Sequence, residues 1–96
     1  MRKYEVMYIL KADLDEAARG EVIAKLAKII TDNGGKVNKT DESMGLRDLA
    51  YPIKKEKKGY YVVLKVEMGN EAISEFNRLV LIDSSVLRHL IVVDHE

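Results

Sequence analysis

The sequence predicts an α+β fold in which four antiparallel strands form one sheet and two helices cover one of its faces. Segments with the alternating or short apolar patterns of strands occur four times along the 96 residues. Two segments with helical spacing, residues 13–32 and 70–82, separate them, so the order is βαββαβ. Because each helix has one apolar face, both are buried only by lying together on one side of the sheet.

The first strand is predicted over Tyr4–Leu10, where Glu5 is the only charge. Alternation directs one set of its side chains to the core: Tyr4, Val6, Tyr8 and Leu10. The first helix is predicted to begin at Asp13, which forms a capping-box pattern with Glu16, and to end at Asn33-Gly34-Gly35. Its apolar stripe consists of Val22, Ile23, Leu26, Ile29 and Ile30.

A long strand is predicted over Lys36–Ile53, with a bulge or bend at Gly45. Pro52 cannot donate to a strand ladder and therefore indicates an edge strand. The third strand is predicted over Tyr60–Met68. Its alternation directs four side chains inward: Val62, Leu64, Val66 and Met68.

The second helix is predicted to be capped by Asn70 and to end before Asp83. Its apolar set is Ile73, Phe76, Leu79 and Val80. The final strand is predicted over Val86–Val93, with Leu90 and Val92 facing the core by the same alternation. The complete order is that of the ferredoxin-like fold, and the length predicts one domain over residues 1–96.

Composition excludes several classes of function. The chain has no cysteine, so a disulfide framework, a thiolate metal site and a catalytic thiol are all impossible. Its longest apolar runs fall far short of the roughly 20 residues of a membrane-spanning helix. Arg2 and Lys3 are followed by Glu5 rather than by an apolar segment, which argues against a secretory signal. We therefore expect a cytoplasmic protein that does not contact a membrane.

Positive charge is concentrated between Arg47 and Lys65, although the chain as a whole has a net charge of zero. Six Lys and Arg residues stand there against Asp48 and Glu56. Four of the cations form what we call the basic turn: Lys54, Lys55, Lys57 and Lys58. Residues 67–96 carry a local excess of acids instead, so the molecule is polarised.

The segment Gly45-x-Arg47-Asp48-Leu49-Ala50-Tyr51-x-Ile53-Lys54 resembles the signature of the sixth protein of the bacterial small ribosomal subunit. Further similarity extends over nearly the whole chain. It is carried by Met1-Arg2-Lys3-Tyr4-Glu5, Gly59-Tyr60-Tyr61, Val66-Glu67-Met68 and Val86-Leu87-Arg88-His89. The resemblance implies a ferredoxin-like, non-catalytic constituent of the ribosome. The resemblance also implies two partners in the cytoplasm. One is the central domain of 16S rRNA, and the other is the eighteenth small-subunit protein.

The residues expected to bind RNA are the basic turn and the cations near strand ends: Arg2, Lys3, Arg47, Lys54, Lys55, Lys57, Lys58 and Arg88. Lysine neutralises phosphate without reading sequence, so these contacts would position the protein. The residues expected to bind the partner protein lie on the sheet face without helices, which we call the open face: Met7, Ile9, Tyr61, Val63, Ile91 and Val93. That face is too apolar for one that meets only water.

Two alternatives share this fold. One is an RNA-recognition motif that stacks single-stranded RNA on aromatic side chains, for which Lys58-Gly59-Tyr60 matches the start of the third-strand signature. The predicted alternation points Tyr60 inward, which disfavours it. The other is a protein-interaction module, in which the basic turn would be a solvated, protective hairpin tip. No enzymatic motif, no metal-ligand spacing and no site for a cofactor or a small-molecule substrate occurs in the sequence.

Overall fold

The structure is a computed structural model that describes residues 2–53 and 55–94. Its elements are β1 (Arg2–Lys11), α1 (Glu16–Asp32), β2 (Lys36–Ile53), β3 (Glu56–Met68), α2 (Asn70–Leu81) and β4 (Val86–Val93). The strands form one antiparallel sheet in the order β2-β3-β1-β4. The predicted fold class is confirmed.

The core lies between the helices and the central strands β1 and β3. The predicted inward set of β3 is confirmed, since Val62, Leu64, Val66 and Met68 are all buried. On β1, Val6, Tyr8 and Leu10 are fully buried, and Tyr4 packs against them at the margin of the core. Both helices contribute to the same cluster: Leu26, Ile29 and Ile30 from α1 and Ala72, Phe76 and Val80 from α2.

The starts of both helices differ from the prediction. The N-cap of α1 is Asp15, not Asp13, and its carboxylate accepts a hydrogen bond of 2.7 Å from the backbone N–H of Ala18. The N-cap of α2 is Gly69, not Asn70, and it makes no side-chain capping bond. Both errors have the same cause, because neighbouring residues that favour the N-cap position, Asp13 and Asp15 or Gly69 and Asn70, compete and only the backbone path decides between them.

The inward direction predicted for Leu90 and Val92 is wrong. In the β1–β4 ladder Leu10 is opposite Val86, whereas Ile9 is opposite Arg88, so Leu87 is an extra residue that forms a β-bulge. One extra residue exchanges the two faces of everything beyond it. Tyr8 is therefore opposite His89 and Val6 is opposite Ile91, which places His89, Ile91 and Val93 on the helix side. Leu90 and Val92 lie on the open face.

Candidate functional site

The β2–β3 hairpin carries most of the predicted cations, and all of those within the described residues are exposed. Lys57 and Lys58 lie on β3 and Arg47 on β2, where Arg47 is opposite Gly59 and Asp48 is opposite Lys58. Lys54 lies outside the described residues. Lys11, which we did not predict as a site residue, is the β1 partner of the same Gly59 and so lies in one row with Arg47. Lys11 is brought beside Arg47 only by the register of the strands, and the sequence does not reveal that register.

Lys55 occupies a backbone conformation that side chains rarely adopt. Its φ is 69°, the left-handed region in which glycine or asparagine is favoured. The hairpin thus keeps a lysine at a turn position where glycine, which has no Cβ, would fold with less strain.

Arg88 on β4 joins the hairpin end of the molecule. Its guanidinium donates a hydrogen bond to the hydroxyl of Tyr51 on β2, although β2 and β4 are the two edges of the sheet. The end of β2 therefore curls across the open face. Leu49 follows the same path: a Cβ added to the buried Gly59 would lie 3.4 Å from a methyl group of Leu49 and closer still to Ile9. The missing side chain of Gly59 makes room for this crossing.

Arg2 and Lys3 do not extend the same basic surface. They are opposite Met68 and Glu67, at the end of β3 remote from the hairpin turn. The nine residue steps of ladder from Arg2 to Lys11 correspond to about 30 Å. Lys3 also faces an acid across the ladder. The predicted RNA-binding residues therefore form two groups at opposite ends of the sheet.

The open face divides into an apolar part and a charged part. Two neighbouring rows are apolar at their centre, one with Met7 opposite Val63 and Leu90, the other with Ile9 opposite Tyr61. Leu90 and Val92 are large apolar residues with 57% and 43% of their surfaces exposed. Ile91 and Val93, which we predicted for this face, lie on the other side because of the bulge at Leu87. The apolar part of the open face therefore consists of Met7, Ile9, Tyr61, Val63, Leu90 and Val92.

The charged part of the open face lies towards Arg2 and Lys3. There Glu5 is opposite Lys65 on β3, and Lys65 is opposite Lys39 on β2. Asn38 adds a hydrogen bond of 3.2 Å to the carboxylate of Glu67. These rows therefore carry charges of both signs. An apolar partner is accordingly accommodated only on the half of the face nearer the hairpin.

Tyr60 lies on the helix side, as the predicted alternation required. The guanidinium carbon of Arg19 in α1 is 4.1 Å from the centre of its ring, and its hydroxyl donates a 2.9 Å hydrogen bond to Glu42. Partial burial and this bond to a carboxylate raise the pKa of Tyr60. Because Arg19 already occupies one face of the ring, Tyr60 is not a platform for RNA bases. This removes the observation that favoured an RNA-recognition motif.

His89 is the described residue whose type most invites a catalytic interpretation, but it has structural contacts. Its ring packs edge-on against Phe76, and Nε2 is 2.8 Å from Oδ1 of Asn77. Burial lowers the pKa of His89. Within residues 2–53 and 55–94 no three acids or histidines are grouped closely enough to hold a metal ion. None of the described helices has the length and apolar character needed to cross a membrane.

Comparisons with known proteins agree with the signature. The family model described as ribosomal protein S6 matches residues 3–93. The chain is 47% identical to the small ribosomal subunit protein bS6 of Shouchella clausii and 48% identical to that of Halalkalibacterium halodurans. Each comparison covers 96 residues and the full length of both chains.

A solved structure agrees as well. The crystal structure of 30S ribosomal protein S6 from Thermotoga maritima superposes with a TM-score of 0.90 at 28% sequence identity. The superposition covers 97% of this chain and 87% of that one. The overall fold described above is thus shared with a solved ribosomal protein S6.

Proposed function

We propose, because the chain belongs to the ribosomal protein S6 family, that it binds the central domain of 16S rRNA as a non-catalytic constituent of the small ribosomal subunit. We further propose that it does so together with the eighteenth protein of that subunit. The observation that carries the proposal is the juxtaposition of a cationic hairpin end with the apolar half of the open face. One end of the molecule thereby offers RNA and protein contacts side by side.

The RNA contact is assigned to Lys55, Lys57 and Lys58, with Arg47 and Lys11 in the adjoining row. All except the half-buried Lys11 are exposed. Their ammonium and guanidinium groups neutralise phosphates and release counterions, which supplies affinity without sequence selection. Arg2 and Lys3 would reach a second stretch of RNA backbone, since they lie at the far end of the sheet.

The protein contact is assigned to the apolar part of the open face. Hydrophobic burial there would bring the partner next to the hairpin, where both proteins can face the RNA. Asp94, at the end of β4, would complement a basic partner. Because few cations reach each RNA segment, we expect the partner to supply contacts that this chain lacks.

The RNA assignment is tested by two triple variants of equal charge. Changing Lys55, Lys57 and Lys58 to Ala should weaken binding to a central-domain rRNA fragment and its protein partner. It should also lower the salt slope of binding by about 2 to 3, since each lost phosphate contact contributes nearly one. The matched control changes Lys25, Lys28 and Arg78 to Ala, three exposed cations on the helices, away from both cationic groups. If both variants changed the affinity and the salt slope equally, the basic turn would serve only solubility and would not contact the RNA.

The protein assignment is tested by titrating the same RNA fragment with and without the eighteenth small-subunit protein. Binding should be cooperative, because each protein would present the other in a fixed orientation. Leu90→Gln on the apolar part should abolish the cooperativity and, because it adds no charge, leave the weak binding of this chain alone unchanged. Equal affinity of this chain with and without the partner would contradict the assignment.

A further inference from the structure

We propose that two copies of this chain associate through the free edge of β4. Their β4 strands would be antiparallel, and the two-fold axis would pass between the two copies of Ile91. The sheet would thereby extend to eight strands, with all helices on one side. This proposal concerns the chain free of RNA, and it does not rest on the proposed function.

The first observation is that β4, beyond its bulge at Leu87, is an unprotected edge. Strands at sheet edges are normally blunted by proline, lysine, acids or bulges. The other edge, β2, has such features in Pro52, in an extra residue at Asn38 and in several charges. Residues 88–93 of β4 contain no proline, acid or lysine and pair with β1 without interruption. Within the described residues no strand covers its outer side.

The second observation is the direction of the backbone groups. The N–H of Asp94 donates to the carbonyl of Lys3, so Tyr4 and Val93 are a pair that does not exchange hydrogen bonds. Alternation along β4 then directs the backbone N–H and C=O groups of His89, Ile91 and Val93 away from β1. These three residues are spaced symmetrically about Ile91. A second copy related by a two-fold axis at Ile91 meets all of them, and with two bonds per pair the ladder has about six hydrogen bonds.

The third observation is that the side chains complement themselves in this register. On the open face Leu90 of one copy is opposite Val92 of its partner, which covers two exposed apolar residues in each chain. Arg88 of one copy is opposite Asp94 of the other. Arg88 is exposed and Asp94 half-buried, and the guanidinium that bonds Tyr51 has further N–H groups for an ion pair with Asp94. An axis at His89 would instead place Arg88 opposite Leu90 and bring the bulged Leu87 into the ladder. An axis at Val93 would leave a shorter overlap. The register about Ile91 is therefore the favoured one.

The existence of the dimer is tested with the full chain by sedimentation velocity from micromolar to millimolar concentration. We expect reversible dimerisation. Arg88→Glu should weaken it by about tenfold or more, because a cross-strand attraction becomes a repulsion twice in each dimer. The double variant Arg88→Asp/Asp94→Arg should restore it. Arg78→Glu on α2 is the matched control and should leave it unchanged. A chain that stays monomeric throughout overturns the proposal.

The register is tested by cross-linking, which the absence of native cysteine makes simple. A mixture of Leu90→Cys and Val92→Cys chains should form a disulfide-linked dimer on oxidation, because directly opposite residues of this kind of pair are about 4.5 Å apart. Neither variant alone should do so, because each cysteine would then be offset from its copy by two residues, or about 8 Å between Cα atoms. No linkage in the mixture, or equal linkage in the single variants, overturns the register.

Discussion

The guanidinium of Arg88 in β4 donates a hydrogen bond to the hydroxyl of Tyr51 in β2, which ties together the two edges of a four-stranded sheet. The end of β2 reaches β4 only by crossing the open face above Gly59 and Ile9. This crossing fixes the direction in which the β2–β3 hairpin projects. The orientation of the basic turn therefore depends on a contact made far from it in the sequence.

We predict that Tyr51→Phe loosens the hairpin end without unfolding the protein. The substitution removes the acceptor for Arg88 and keeps the ring. The bond is exposed, so the free energy of unfolding should fall by less than about 1 kcal/mol. Hydrogen exchange at residues 47–53 should accelerate. Tyr61→Phe is the matched control, since the described residues provide no hydrogen-bond partner for its hydroxyl. Unchanged exchange in Tyr51→Phe would mean that the Arg88 contact does not hold the strand.

We predict that Lys55→Gly stabilises the fold and weakens RNA binding. Lys55 has a φ of 69°, and relieving a side chain of this conformation is worth about 1 kcal/mol. Loss of the ammonium group should lower the salt slope of RNA binding by about one. Chemical denaturation and a salt titration measure the two effects. Lys57→Gly, on the extended strand, should lower the slope similarly but destabilise the protein. A loss of stability in Lys55→Gly would contradict the strain assigned to this turn.

We predict that Gly→Ala has opposite effects on the free energy of unfolding at two positions, Gly20 and Gly59. Gly20 lies exposed within α1, and a Cβ there would have no neighbour within 4 Å. Gly20→Ala should raise the free energy of unfolding by up to about 1 kcal/mol. Gly59→Ala should lower it, because the new Cβ would collide with Ile9. Thermal denaturation of both variants checks the pair. A destabilised Gly20→Ala would indicate that the helix needs flexibility there.

The sequence predicted the fold and the core well because both depend on periodicity. Lys65 and Glu67 alternate with Leu64, Val66 and Met68, and β3 shows no shift between Gly59 and Met68 in its pairing with β1. On β4 the same method placed Leu90 and Val92 on the wrong face. A single extra residue at Leu87 reverses the alternation, and nothing in Val86-Leu87-Arg88 distinguishes a bulge from a regular strand.

The candidate site was predicted by residue type but not by position. Cations are visible in any sequence, and those within the described residues are exposed as expected. Their grouping depends on how strands that are distant in sequence pair with each other. This pairing places Lys3 far from the hairpin turn and Lys11 beside the hairpin cations. The crossing of Tyr51 to Arg88 likewise depends on the buried Gly59, whose role became clear only from the packing of Ile9 and Leu49.

His89 makes folding stability depend on pH. Its ring contacts Phe76 in the margin of the core, and because Oδ1 of Asn77 can only accept, Nε2 carries the hydrogen of the 2.8 Å bond. Burial lowers the pKa of His89 below its ordinary value of 6.5, so the folded state favours the neutral ring. This contribution to stability is complete above about pH 6.5 and is lost as the pH falls through the lower pKa of the folded state.

We predict that the protein loses stability relative to His89→Gln as the pH is lowered below about 6.5. Glutamine keeps a donor for Asn77 and does not titrate, while His95, the other histidine, is present in both proteins and so cancels in the comparison. Denaturant unfolding across the acidic range gives the difference in free energy at each pH, and the NMR titration of the His89 ring gives the folded pKa directly. Two stability curves that remain parallel from neutral to acidic pH, or a ring that titrates at or above its ordinary pKa, would contradict this account, because the burial beside Phe76 would then not disfavour the charged form.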